Sequence, residues 1–306
     1  MSNYQIKKIF NRILIIIIFC FISILSYSFE IKNNMVVDKF NNSIELKEYN
    51  RIVLVDPAGI EIVYMLGGED KIVAIGKTAM SKIYPVEKTE KLPSVGNITK
   101  PSIEKILSYS PDLVILNTMS ASIGDNLKEL NLPFIVSEIE NIDKIFESIK
   151  IYGKFTGKEK EAEKLYSSSK KTIENLKNKV AKEPLNLKGA ILYITTPMMG
   201  FNNASLPGEI MNILGVTNIA GNLKGNKPII SQEILLQENP DFLAGAMSIN
   251  SPEDIKNSNP AVSQTKAGKN NNFFIVDSSK ILRGSPRLFE EMEHFYNELV
   301  EIKNKK

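Results

Sequence analysis

The sequence predicts an α/β protein of two α/β lobes joined by a single long helix, with a ligand cleft between the lobes. Three observations carry that prediction. One stretch occurs twice: Glu104-Lys-Ile-Leu-Ser-Tyr-Ser-Pro111-Asp112-Leu-Val-Ile returns 129 residues later as Glu233-Ile-Leu-Leu-Gln-Glu-Asn-Pro240-Asp241-Phe-Leu-Ala. Proline cannot continue a helix, so each copy reads as a short amphipathic helix, a sharp stop and a buried strand. Short apolar runs alternate with helical patterns in both halves, which implies parallel sheets. Residues 158–182 then separate the halves. They are rich in Lys, Glu and Ala, with apolar positions at Ala162, Leu165, Tyr166, Ile173, Leu176 and Val180. That helix repeat lasts about 24 residues, or about 36 Å at 1.5 Å per residue. The boundaries that follow are a signal peptide over 1–28, an N-terminal lobe over 29–157, the linking helix over 158–182 and a C-terminal lobe over 183–306.

Each element has its own reason. Lys7, Lys8 and Arg12 precede an apolar run from Ile13 to Leu25, and Ser26-Tyr27-Ser28 supplies a small-x-small cleavage site. The run is shorter than the roughly 20 residues that span a bilayer. Cleavage would leave Phe29 first and release a periplasmic protein in a diderm organism; the alternative is an uncleaved membrane anchor. Cys20 follows Phe19, a poor context for lipid attachment, and is read as part of the removed segment. Residues 35–47 read as a hairpin turning at Asn41-Asn42. Arg51–Val55 reads as a strand, and Asp56-Pro57 starts a helix with a capping residue and proline at its first position. Gly67-Gly68 stops that helix. Strands are expected near 71–75, 112–116 and 133–137, then near 188–194, 241–245 and 273–276. A helix from about 286 to 303 closes the chain.

Charge and composition exclude several classes. The formal charge is +3, but residues 1–28 hold three basic and no acidic residues, so the remainder carries 35 of each sign. Nothing in that balance steers the protein toward nucleic acid. With Cys20 removed no cysteine remains for disulfides or thiolate metal sites. The sole histidine, His294, sits among acidic residues on the terminal helix, where solvation is the ordinary reading. No nucleophile–His–acid order, paired metal-ligand spacing or phosphate loop is visible, which argues against an enzyme.

Several blocks carry a family resemblance. These are Val37-Asp38, Arg51 through Gly67, Leu92-Pro-Ser-Val-Gly96 leading into Ser102-Ile-Glu104, Pro111-Asp112-Leu-Val, Gly208-Glu209-Ile to Leu214-Gly215 with Asn218-Ile219-Ala220, and Ser285-Pro286-Arg287. In order and spacing they resemble the solute-binding proteins of ABC importers for iron complexes and cobalamin, over essentially residues 35–303. The resemblance implies two lobes on one backbone helix and a monomer serving an ABC permease with its ATPase subunits. It also implies a small-molecule metal chelate as ligand. It makes Glu104 and Glu233 the permease-docking carboxylates, because matching glutamates of the family meet arginines on paired permease subunits. Two departures bear on the ligand. The chain has no tryptophan, which cobalamin binders commonly place in the cleft. Asn97 stands where some haem binders carry a ligating tyrosine. The fold is shared with some metal-cluster enzymes and chelatases, so a chelatase-like enzyme is the reading from another class.

Topology places the cleft beyond the carboxyl ends of the strands. Candidate ligand-binding residues are therefore Asp56, Lys77, Met80, Tyr84, Asn97, Met119, Met198, Met199, Met247, Arg283 and Arg287. Methionine suits an adaptable apolar surface because its thioether is flexible and polarisable. Tyr84 offers a flat face. Arg283, Arg287 and Lys77 could meet negative groups on the ligand, with a structural salt bridge across the lobe as the alternative for either arginine. A chelate brings its own ligands, so no resident cofactor or protein-held metal is expected. The expected cargo is an iron chelate, siderophore or haem, with cobalamin and molybdate as alternatives.

Overall fold

The computed structural model describes residues 29–305; the signal segment expected over 1–28, with Cys20, lies outside them. Strands β1 (Glu30–Lys32), β2 (Met35–Val37) and β3 (Ser43–Glu45) form an antiparallel sheet in that order. Asn33 and Asn34 both take positive φ, 50° and 60°, as a two-residue hairpin turn requires. The second turn is the expected one, with Asn41 at φ 62°. Asp38 organises it: one carboxylate oxygen accepts from the N–H groups of Phe40 and Asn42 at 2.9 and 3.0 Å. Its other oxygen accepts from Val136 N–H at 2.9 Å and fastens the hairpin to the sheet behind.

That sheet has six strands: β4 (Ile52–Leu54), β5 (Ile72–Lys77), β6 (Ser94–Asn97), β7 (Lys100–Pro101), β8 (Leu113–Asn117) and β9 (Phe134–Ser137). Their order is β7-β6-β5-β4-β8-β9, parallel except for β7. The second large sheet contains β10 (Lys188–Thr195), β11 (Met198–Gly200), β12 (Thr217–Asn218), β13 (Phe242–Gly245) and β14 (Phe273–Ile275). Its order is β11-β10-β13-β14, with β12 also beside β10 and only β11 antiparallel. The strands expected from the sequence are present within a residue or two. Strands β1, β6, β7, β11 and β12 were not expected; each is short and broken by Gly or Pro, or lacks an apolar run.

Both sheets are buried on both faces, and the period of two sorts their side chains. Ile52, Leu54, Leu113 and Ile115 face one cluster, while Val53, Val55, Val114 and Leu116 face another. In the second lobe Ile191, Phe242 and Ala244 join the first of these clusters, and Ala190, Leu192 and Leu243 form a third. Each lobe thus has a private core, and one inner core runs through both. The helix Glu159–Lys182 is unbroken over 24 residues and leads from the first lobe into β10. Its apolar side packs on helix Ile142–Phe155 and on the last helix, Arg287–Asn304. Among the described residues, no helix is long and apolar enough to cross a membrane.

The repeated stretch is a repeated structure. Ser102 and Ser231 cap their short helices by accepting from Lys105 and Ile234 N–H. Ser110 and Asn239, each just before the proline, take positive φ of 44° and 45°. The following aspartates then pin the start of the neighbouring strand. Asp112 accepts from Arg51 N–H at 2.9 Å, and Asp241 accepts from Lys188 N–H at 2.9 Å.

Candidate functional site

Strand β4 is the central strand from which the order departs in both directions, to β5 on one side and β8 on the other. Such a switch point opens a crevice at the carboxyl ends of the strands. Asp56 follows β4 there and caps helix Pro57–Leu66, accepting from Ala58 and Gly59 N–H at 3.2 Å each. The Ser137 hydroxyl, at the end of β9, donates to Asp56 at 2.7 Å. Burial pushes the Asp56 carboxyl above the usual carboxylate range, against the pull of these hydrogen bonds and of Arg283. Behind it lies Tyr152, whose hydroxyl sits so close to the helix that a Cβ on Gly59 would approach it to 2.1 Å. Asn117, at the end of β8, accepts from Met119 and Ser120 N–H at 2.8 and 3.1 Å and turns the chain outward.

Two adjoining cavities, about 670 and about 660 Å³, occupy the crevice between the lobes. Met80 and Met119 from the first lobe and Met247 from the second line both cavities. They are 82%, 57% and 38% exposed. Met247 holds φ 59°, a costly conformation for a non-glycine residue, and its N–H donates to the Ser278 hydroxyl at 2.6 Å. Ile98, Ile139, Tyr193 and Leu282 supply the rest of the shared apolar lining. Lys227 Nζ lies 4.1 Å from the centroid of the Tyr193 ring. Asn97 lines the second cavity, with its amide oxygen accepting from Thr99 N–H at 2.9 Å.

The other sequence candidates go elsewhere. Met198 is almost fully buried in the second lobe's private core, and Met199 bridges to Ile229; neither lines the cavities. The reason is that the chain expected to loop out after β10 turns back at Thr196-Pro197 as the antiparallel strand β11. Lys77 donates to the Glu90 carbonyl at 2.7 Å and borders a smaller recess of about 400 Å³. Tyr84 stacks under Arg287 at 4.4 Å, and both border a separate surface recess. Arg283 reaches the cleft wall, but its guanidinium is already engaged.

Its partner is Glu61, fully buried on helix Pro57–Leu66. Arg283 forms an ion pair with Glu61, and also donates to the Lys82 carbonyl at 2.9 Å and the Ser81 hydroxyl at 2.7 Å. Arg287 Nη1 and the Tyr84 N–H donate to Glu61 at 3.1 Å each, and the Ser285 hydroxyl donates at 2.7 Å. Of the two readings open for the arginines, the structural salt bridge is the one formed, and it joins the second lobe's arginines to a first-lobe glutamate. Glu61 was not among the candidates. Its signal was a lone carboxylate inside the apolar run Ala58-Gly-Ile-Glu61-Ile-Val.

Glu104 and Glu233 are both exposed in the first turns of their helices. His294 is exposed on the last helix. Among the described residues, no group of three or more His, Cys, Asp or Glu side chains is arranged to hold a metal ion.

Comparison with known proteins agrees with this layout. The profile of a family described as periplasmic binding protein matches residues 52–279. An uncharacterised ABC transporter substrate-binding lipoprotein of Bacillus subtilis is 26% identical over 266 residues, spanning 84% of this chain and 82% of its own. A vitamin B12-binding protein of Vibrio parahaemolyticus is 26% identical over 257 residues, with 80% and 89% covered. The solved structure of a periplasmic haem-binding protein from Roseiflexus superposes with a TM-score of 0.71 at 20% identity, covering 83% of this chain and 99% of that one.

Proposed function

The chain belongs to the periplasmic binding protein family, and on that premise we propose that it captures an intact iron chelate, a ferric siderophore or haem, for an ABC importer. The coarser role needs no proposal: this is a non-enzymatic substrate-binding protein of an ABC importer for haem, iron chelates or vitamin B12. It works outside the cytoplasm, periplasmic or anchored as a lipoprotein.

The observation that carries the finer reading is the lining of the crevice. Three exposed thioethers from separate segments of both lobes, with an aromatic and aliphatic wall, face cavities large enough for a macrocycle or folded chelate. The metal's own chelator supplies its ligands, so the protein need offer only shape and apolar contact. The cations of the lining are Arg283, spent on Glu61, and Lys227, held over Tyr193. The lining also carries the carboxylates Asp56, Glu138 and Glu140, so its charge balance favours an uncharged chelate such as a ferric hydroxamate over a trianionic catecholate. A molybdate site would instead need a tight nest of backbone donors.

Cobalamin is the second reading. It shares the low charge, and a curated relative is named for it. Titration of the apoprotein with haemin, a ferric hydroxamate, a ferric catecholate, cyanocobalamin and molybdate, followed by tyrosine fluorescence, separates these. Submicromolar binding of haemin or the hydroxamate supports the iron reading. Tight binding of cyanocobalamin alone replaces it with the second, and of molybdate alone overturns both. Delivery rests on Glu104 and Glu233 meeting basic residues of the permease. Reversing both to arginine should abolish uptake while leaving cargo affinity unchanged, and normal uptake by that variant would remove the docking role.

A further inference from the structure

The two short helices share more than their glutamates. Leu107 lies three residues after Glu104, and Leu236 three residues after Glu233. Both leucines are among the exposed large apolar side chains, at 41% and 42%, while their neighbours Ile106 and Leu235 are fully buried. Residues three apart share one helix face, so each lobe presents a carboxylate beside an uncovered leucine. The same serine cap, left-handed exit residue and strand-pinning aspartate hold both helices. An exposed leucine by itself is ordinary. Two at equivalent positions of a duplicated element, with near-equal exposure and the same charged neighbour, form a repeated surface feature.

We infer that Leu107 and Leu236 are the apolar half of a two-point docking surface for a membrane permease built of two equivalent subunits. Each subunit would offer a cation beside an apolar recess. The inference rests on the docking role given above to Glu104 and Glu233, and adds a division of labour to it. Exposed charges set orientation and association rate but contribute little residence. Burying the leucines supplies the residence, and the duplication doubles it only against a partner that is itself two-fold.

The test compares Leu107→Gln, Leu236→Gln and the double variant with Glu104→Gln/Glu233→Gln. Glutamine keeps helix propensity. Each protein is assayed for cargo affinity and for binding to the importer's permease–ATPase complex in proteoliposomes, with stimulation of ATP hydrolysis as a second readout. Each leucine change should weaken permease binding by about tenfold, through faster dissociation, with similar losses from either lobe and unchanged cargo affinity. The glutamate pair should instead slow association and flatten its salt dependence. If the leucine double variant docks like the parent while the glutamate pair fails, the leucine inference falls and the docking reading stands. If neither set of changes alters docking, both fall. A loss confined to one lobe overturns the two-point surface.

Discussion

Two arginines, a serine hydroxyl and a backbone N–H converge on the Glu61 carboxylate, which has no contact with water. Removing its charge leaves two largely buried guanidiniums without their counter-ion. Breaking a buried pair on one side costs about 3–5 kcal/mol, so Glu61→Gln should lower the unfolding free energy by about 3 kcal/mol. Arg283→Met should cost more than Arg287→Met, because Arg283 also holds Ser81 and Lys82. Urea unfolding of the three variants checks the order. Three buried or half-buried carboxyls, Asp56, Glu209 and Glu291, sit above the ordinary carboxylate range, burial being the first cause for each. A raised acid binds more protons folded than unfolded, so its contribution is fully present below the unfolded pKa and is lost as pH rises through the folded one. The lowered carboxyls Glu69, Glu159, Glu183 and Asp254 are partly or fully exposed, where solvent screens them. The urea midpoint should therefore rise as pH falls from neutrality toward the ordinary carboxylate range. Asp56→Asn, which keeps a capping side chain, should flatten part of that slope.

Helix Glu159–Lys182 was legible because its pattern is long and periodic, as were the strands whose apolar runs are continuous. Strand β11 was not, since Met198-Met-Gly200 reads equally as a loop end; only its pairing with β10 makes it a strand. The cleft was half legible for the same reason. Topology put Met80, Met119 and Met247 beyond strand ends, where the inter-lobe cavities lie, but did not give the fate of Arg283 and Arg287, decided by a glutamate more than two hundred residues away in sequence. Tertiary partners of that kind leave no local pattern. The continuity of the long helix has its own consequence. Lys171 is exposed near its middle, so proline there removes a backbone hydrogen bond and breaks the rod without touching a core residue, at a cost of about 3 kcal/mol. Lys171→Pro should show lower helicity by circular dichroism. If the lobes are held by that helix alone, scattering should also broaden.

The helix is not alone in holding them. One core cluster runs from Phe29, Ile52 and Ile60 in the first lobe to Phe242, Phe274 and Phe295 in the second. Phe146 stacks on Phe289 across the two lobes at 5.5 Å. The Glu209 carboxylate of the second lobe accepts from Ile142 N–H at 2.9 Å, covering the first turn of a first-lobe helix. Closing the cleft by a hinge would have to shear that core, separate the ring stack and pull Arg283 from Glu61. Small movements of the Met80, Met119 and Met247 side chains cost far less, because exposed thioethers change rotamer freely. Cargo should therefore be accommodated by side chains, with backbone displacements of about 1 Å or less. Small-angle scattering of the apoprotein and of the protein saturated with its cargo should give nearly superposable curves. Glu61→Gln should leave both curves nearly unchanged as well, since the shared core and the ring stack still hold the lobes together. A large contraction of the parent protein on loading would refute the rigid core.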